Sequence, residues 1–394
     1  MPLTIAHLSD LHVSAFGDSF HDSLRLVRRS GEPFVDKRYE PVWSYEGWSI
    51  LRDRKGKKHR IVDPEGYAHR LPLKKGEVLR RDRTDPIERG AEKVARLAAR
   101  HASALAANLP SREAVEAMLK ATPRNSNLRL IKVAREVERH SPDIVVITGD
   151  LTDNGDGYEL IERVFAKYVA KRRLFVVPGN HDLYGFPFAG SARPKPTIES
   201  KRARWDAFQG KLGLEANEFF AWTKRIDDVA FIGLNSCARP QRRFYRHNGA
   251  IGAEQLAFLR AHGTTAEWKS ARHRIVMLHH HVVSLAHRAA SRPGADFTLR
   301  LDDAIHLLGA LQEVGATLVM HGHKHLSEER IPAAQDFRLL AAPSTTLGCR
   351  SGDAPSYWQV ELGENVHVER VRVPMSSVEH DSGLESGPVA PPTR

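Results

Sequence analysis

Ile144-Val-Val-Ile-Thr-Gly-Asp-Leu-Thr-Asp153 runs from an apolar segment into a pair of acids. Ile144 to Ile147 is β-branched and uncharged, which reads as a strand buried on both faces. It ends in Thr148-Gly149-Asp150, so a carboxylate leaves the C-terminal end of a core strand, the edge where open α/β sheets hold ligands. Asp150 alone could equally cap the next helix. Four further strand ends carry side chains that complement it.

Upstream, residues 128–140 place Leu130, Val133, Ala134 and Val137 on one helical face and lead through Ser141-Pro142-Asp143 into the strand. Downstream, the pattern predicts a helix over 158–169, a strand over 174–177 running into Pro178-Gly179-Asn180-His181-Asp182, and a helix over 201–212. Antiparallel strands are expected at 219–224 and 229–235, then a helix at 252–261. A strand at 274–278 ends in His279-His280-His281, and one at 317–320, after a helix at 302–315, ends in His321-Gly322-His323-Lys324-His325. Segments 337–341, 357–362 and 366–373 are expected to complete a second sheet. The chain opens on a strand at 3–8 that ends in Ser9-Asp10-Leu11-His12.

Between that strand and residue 90 the α/β rhythm is lost. Phe34, Tyr39, Trp43, Tyr45 and Trp48 mix with charges, and segments 49–51 and 59–62 flank Arg54-Lys55-Gly56-Lys57-Lys58 in the manner of a hairpin. Residues 18–90 therefore read as a β-rich flap inserted into a single domain of residues 1–374, followed by an Ala-rich helical segment, 90–120, broken at Pro110. The Ser/Gly/Pro/Glu-rich tail, 375–394, is expected to be disordered.

Apolar residues make up 41% of the 394, ordinary for a soluble globular chain able to bury a sizeable core. No run of about 18 apolar residues is present to span a bilayer. The N-terminal segment lacks the charged start of a signal peptide, and Cys237 and Cys349 are the only cysteines, so a cytoplasmic protein without a disulfide framework is expected. Net charge is +11, and twelve Lys/Arg face five acids between Leu51 and Arg83. A basic flap of this kind suits an anionic polymer or membrane surface, or simply solvent.

Asp10-x-His12 and His323-x-His325 each put two donors on one side of an extended segment, because alternate residues share a face. With Asp150, Asn180 and His279 the strand ends offer seven oxygen and nitrogen donors and no thiolate. That set suits Mn, Fe, Zn or Co better than Ca or Mg. Seven donors exceed the needs of one ion that must also leave room for substrate. Two ions about 3.5–4 Å apart, sharing one carboxylate, would use them all.

Asp10-x-His12, Gly149-Asp150, Gly179-Asn180-His181-Asp182, His279-His280 and Gly322-His323-x-His325, in this order, resemble the calcineurin-like metallophosphoesterases. Gly149-Asp-Leu-Thr-Asp-Asn-Gly155, Asn235-Ser236 and residues 249–259, with Gln255-Leu256 and Phe258-Leu259, are further similar to the bacterial class III cyclic-nucleotide and glycerophosphodiester phosphodiesterases. The resemblance implies an α/β fold, a four-layer α/β/β/α sandwich of the metallo-dependent phosphatase type, with a dinuclear site at the strand ends. It implies a first ion on Asp10, His12 and His325, a second on Asn180, His279 and His323, and Asp150 between them. His181 would protonate the leaving alkoxide, Asp182 would orient His181, and His280 would line the pocket. His281 stands where such enzymes often have proline. Two cations sharing a water would lower its pKa toward neutrality and aim a hydroxide at phosphorus.

The family hydrolyses monoesters, diesters, pyrophosphates and nucleic acids, so fold and metals do not name the substrate. A phosphodiesterase is the expectation. Alternatives are a nuclease gripping a phosphate backbone through the basic flap, and a pyrophosphatase acting on a nucleotide-linked lipid precursor at an anionic membrane. A non-catalytic, metal-stabilised scaffold would lack a ligand or the histidine of Gly-Asn-His-Asp, and neither is lacking.

Overall fold

In the computed structural model, which describes residues 2–14, 28–33, 37–45, 48–55, 59–62, 67–70, 99–153, 155–184, 197–237, 248–283, 300–332, 335–347 and 354–375, the apolar runs become the strands of two large sheets. In chain order the strands are β1 (Leu3–Leu8), β2 (Arg28–Pro33), β3 (Tyr39–Tyr45), β4 (Trp48–Asp53), β5 (His59–Val62), β6 (Tyr67–Arg70), β7 (Ile144–Thr148) and β8 (Leu174–Val177). They continue as β9 (Trp222–Ile226), β10 (Val229–Gly233), β11 (His273–Met277), β12 (Leu318–His321), β13 (Glu328–Arg330), β14 (Arg338–Ala341), β15 (Ser356–Leu362) and β16 (Val366–Arg372). The helices are α1 (Ala102–Ala107), α2 (Arg112–Ala121), α3 (Ser126–His140), α4 (Tyr158–Val164), α5 (Ala166–Ala170), α6 (Asn180–Leu183), α7 (Ile198–Lys211), α8 (Ala253–Gly263), α9 (Ala266–Lys269) and α10 (Ala304–Glu313).

The first sheet has the order β16-β15-β1-β7-β8 and the second β13-β14-β12-β11-β10-β9. β1, β7 and β8 run parallel, as do β10, β11, β12 and β14. In the second sheet alternate side chains part company. Phe231, Met277 and Met320 join the core that contains Ile5, Val146 and Phe175 of the first sheet. Ile232, Val276 and Val319 instead pack with Leu259 of α8, Trp268 of α9 and Leu311 of α10. The apolar faces of α1 to α5 and α7 close over the first sheet. The result is the four-layer α/β/β/α sandwich, each sheet roofed by helices.

Two sequence expectations need correction. Residues 356–362 and 366–372 do not complete the second sheet; β15 pairs antiparallel with β1, from Leu3 against Leu362 to His7 against Trp358, and carries β16 outward with it. An alternating pattern identifies a buried face but not the edge it will seek, and β1 has β7 on one side only. The edge of the second sheet is taken instead by β13, paired with β14. The helix expected over 158–169 is broken at Phe165, whose buried ring turns into the core between α4 and α5.

Strands β2 to β6 form a third, wholly antiparallel sheet of order β2-β6-β5-β4-β3. Residues 71–98, which hold the rest of the basic stretch, lie outside the described residues, as do Cys349 and the tail from 376. Among the described residues no helix is long and apolar enough to cross a membrane.

Among the polar bonds that cross between the two large sheets, a buried one has Trp222 Nε1 donating to the Val176 carbonyl at 2.8 Å, beside the Phe175 and Phe231 rings. Trp222→Phe would strand that buried carbonyl and is expected to cost about 1–3 kcal/mol, read from denaturant unfolding with metal content unchanged. An unaltered midpoint would mean the bond contributes nothing.

Candidate metal centre

Five of the parallel strands, β1, β7, β8, β11 and β12, end at one level, and the chain leaves each of them into a polar loop. Pairing continues past the strand ends: the Asp10 amide donates to the Gly149 carbonyl at 2.9 Å, the His12 amide to the Asp150 carbonyl at 3.0 Å, and the Gly322 amide to the His279 carbonyl at 3.0 Å. The loops are thereby locked side by side, and their side chains converge.

Among the described residues they form three candidate donor groups, two built wholly from the expected ligands and a third of His12, Asp153 and His181. Ligand atoms of Asp10, His12 and His325 lie within 4.8 Å of one another, and so do those of Asp150, His279 and His323. In the first group His12 Nε2 and His325 Nε2 are 3.0 Å apart, with Asp10 Oδ1 at 3.3 Å from His325 Nε2. In the second, His279 Nε2 is 3.1 Å from His323 Nδ1, 3.1 Å from Asn180 Oδ1 and 3.3 Å from Asp150 Oδ2. All seven side chains expected from the sequence are therefore brought together, each almost wholly out of solvent.

The backbone is bent to achieve this. Asp10, His12, Asp150, His323 and His325 all have φ between 48° and 76°, the left-handed region that side chains rarely occupy, at roughly 1–3 kcal/mol each. Such strain persists only where surroundings over-determine it. Ser344, Thr345 and Thr346 supply part of that grip: Ser344 Oγ donates to the Asp10 carbonyl (2.7 Å), Thr346 Oγ1 to the Leu11 carbonyl (2.7 Å), and Thr345 Oγ1 accepts from the Ser9 amide (3.0 Å). Gly322 lets the first and last loops touch, since a Cβ there would overlap Ser9 Oγ and Asp10 Oδ2.

Hydrogen bonds set which ring nitrogen of each histidine is bare. His279 Nδ1 donates to the Thr148 carbonyl at 2.8 Å, leaving Nε2 toward Asp150 and Asn180. His12 Nδ1 donates to Asp153 Oδ1 at 2.7 Å, leaving Nε2 toward Asp10 and His325. Asp153 was missed by sequence reasoning, although it stands three residues after Asp150 in the same loop. The same oxygen lies 3.4 Å from His181 Nδ1.

This corrects the role expected of Asp182. Its carboxylate faces away from His181 and accepts from the Leu151, Thr152 and Gly179 amides, the Thr152 hydroxyl and the Tyr158 hydroxyl, at 2.9–3.1 Å. Asp182 follows a tight turn that aims it back at the loop after β7, so it ties the two loops together, and the carboxylate beside His181 is Asp153. His280 is fully buried rather than lining open space; its Nδ1 is 2.8 Å from Ser236 Oγ and its ring lies 4.3 Å from that of His323. His281 packs against His321, ring centroids 4.4 Å apart.

Charge explains the arrangement. Burial opposes protonation of His12, but Asp153, then Asp150 and Asp10, overcome it and hold its pKa up at about 9. Burial likewise opposes charge on His279, which Asp150 restores to about 9. Asp10 and Asp150 would be driven up by burial, yet His325 for the one and His279 and His181 for the other pull them down. Without an ion, then, protons hold the carboxylates together. Paired imidazole nitrogens facing each other beside carboxylate oxygens are what a cation would organise in their place, so the donor set fits metal ions.

The sequence signature of the calcineurin-like phosphoesterases matches residues 123–327, a span that takes in Asp150, Asn180, His181, His279, His323 and His325 while Asp10 and His12 precede it. No curated protein matches the chain. Among solved structures it is similar to a dimetal phosphatase from Danio rerio, at 13% identity and a TM-score of 0.44, over 95% of this chain and 100% of that one. It is also similar to the purple acid phosphatase PPD1 of yellow lupin (Lupinus luteus), at 13% identity and a TM-score of 0.44, over 62% of this chain and 47% of that one. The chain thus spans about half the length of the lupin protein.

Two outcomes follow from the charges. An ion entering either group would displace protons from His12 or His279, so apparent affinity should strengthen with pH up to about 9, by up to about one log unit per pH unit for each ion. Calorimetric titration in two buffers of different ionisation enthalpy counts those protons; none released would contradict the charge balance. In chelated protein, His12 and His279 have folded pKa values above the usual 6.5, so their stabilisation is complete below 6.5 and is lost as pH rises through about 9. His7 and His321, lowered to about 3 by burial first, act oppositely and weaken the fold as pH falls below 6.5. The melting temperature of the chelated protein should therefore peak near pH 6.5, and a Tm that climbs steadily to pH 9 would refute this.

Proposed function

The chain belongs to the calcineurin-like phosphoesterase family and is a metal-dependent phosphoester hydrolase, and within that class we propose that it cleaves phosphodiesters. The observation that carries this reading is the support built around His279 and His280 by the residues that resemble class III phosphodiesterases. Ser236 Oγ accepts from the His279 and His280 amides (3.2 and 3.1 Å) and pairs with His280 Nδ1. Gln255 bonds both the amide and the carbonyl of Asn235 at 2.8 Å, fixing the residue before Ser236. Gly249 lies so close that a Cβ would stand 2.5 Å from the His280 ring. The motif that suggests diesters is thus folded into the wall of the candidate site.

In this reading Asp10, His12 and His325 would hold one ion and Asn180, His279 and His323 the other, with Asp150 available to both. Bound metal ions of the Mn, Fe or Zn type supply Lewis acidity to the phosphoryl group and to water. The chain's own residues do the rest. Thr148 and Asp153 keep His279 and His12 in the tautomers that present Nε2. His181 sits at the rim of the cluster, its Nε2 4.0 Å from Asp150 Oδ2 and its Nδ1 beside Asp153. Flanked by these two carboxylates, it is the group to hand a proton to the departing alkoxide.

With Mn²⁺ added, kcat/KM for bis-p-nitrophenyl phosphate should exceed that for p-nitrophenyl phosphate by about tenfold or more, roughly 1.4 kcal/mol of transition-state preference. Equal or reversed values would make it a monoesterase. A steep salt dependence on single-stranded DNA would point instead to a nuclease. Asp150→Ala should lose metal and activity together. His181→Ala should keep its metal and lose about 10²-fold or more in turnover with poor leaving groups.

A further inference from the structure

Lysine is rarely buried, yet Lys201, in the first turn of α7, is only 1% exposed. Its ammonium, with three hydrogens to give, reaches three backbone carbonyls: His181 at 2.5 Å, Tyr184 at 2.8 Å and Asp153 at 3.5 Å. These carbonyls belong to the two loops that follow β7 and β8. The stem of the side chain is packed as closely, for a Cβ on Gly155 would lie 3.4 Å from Lys201 Cγ. One buried charge thus grips the residue that carries the candidate acid and the residue whose carboxylate stands behind it.

We propose that Lys201 is a positioning residue for His181, fixing the pose from which that imidazole serves the leaving group. His181 is pinned through its backbone on both sides: its amide donates to Asp150 Oδ1 at 2.8 Å, and its carbonyl accepts from Lys201. The first bond ties it to the metal cluster, the second to α7. The Lys201 bond to the Asp153 carbonyl sets the distance between the imidazole and its backing carboxylate. Burial draws the Lys201 pKa down to about 8, but the carboxylates of Asp182, Asp153, Asp150 and Asp156 keep the ammonium charged at neutral pH. A water in its place could satisfy carbonyls but would not couple them to a helix. The three carbonyls that Lys201 grips belong to residues outside the candidate ligand set, so its loss should spare metal binding.

The proposal rests on His181 acting as the acid, and the test separates the two. Wild type, His181→Ala and Lys201→Met are compared on metal content, melting temperature and rates toward diesters whose leaving phenols span pKa of about 7 to about 10, and a methyl leaving group. Lys201→Met should retain its metals, stay within about threefold of wild type on the best leaving group, and fall about tenfold to a hundredfold on the worst. A uniform fall across the series, or none, would overturn the proposal while leaving the acid role of His181 intact. A His181→Ala profile parallel to wild type would overturn both. If Lys201→Met does not melt cooperatively, Lys201→Gln, which retains two donors, is measured instead. Failure of both to fold would assign Lys201 to the fold alone and end the proposal.

Discussion

Asp10 and Asp150 are two carboxylates removed from water, and the charge of Asp150 works against ionisation of Asp10. That juxtaposition cannot stand alone, because buried like charges repel and cannot be solvated. The neighbourhood answers with positive charge: imidazoles from the loops after β1, β8, β11 and β12. The left-handed backbone at five ligand positions, the hydroxyls of 344–346 and the carbonyl that orients His279 all hold that answer in place. Strain and cross-links are gathered here because the charge cluster requires a shape that an unconstrained chain would relax.

The two halves of the centre are not equivalent. The first carries a carboxylate and a histidine backed by a second carboxylate, Asp153, whereas the second carries an amide oxygen and a histidine backed only by a carbonyl. Asp150 faces His279 directly and acts on His12 through charge. More negative charge therefore stands behind the first group, so its donors are the harder and more basic.

Much of this was legible in the sequence. Short β-branched runs ending in Asp or His announced both strand and ligand, since a strand buried on both faces shows no alternation and its polar residues collect at its ends. What escaped reading was whatever depends on where a side chain points after the chain turns. Asp153 and Asp182 are both acids beside candidate ligands, yet only coordinates separate the one that touches imidazoles from the one that ties loops. Ser344 to Thr346 look like an ordinary polar turn, and Lys201 like one more surface lysine on a basic helix. The pairing of β15 with β1 was invisible because an alternating strand fits either sheet.

The grip on Asp10 comes from a residue 334 positions away. A ribosome makes the Asp10 loop long before its clamp, and β1 likewise waits for β15 to cover its open edge. Until residues 344–346 emerge, the turn that carries Asp10 and His12 lacks its hydroxyl contacts. A fragment cut just after His325 would own every candidate ligand yet not the clamp that holds the first loop in shape.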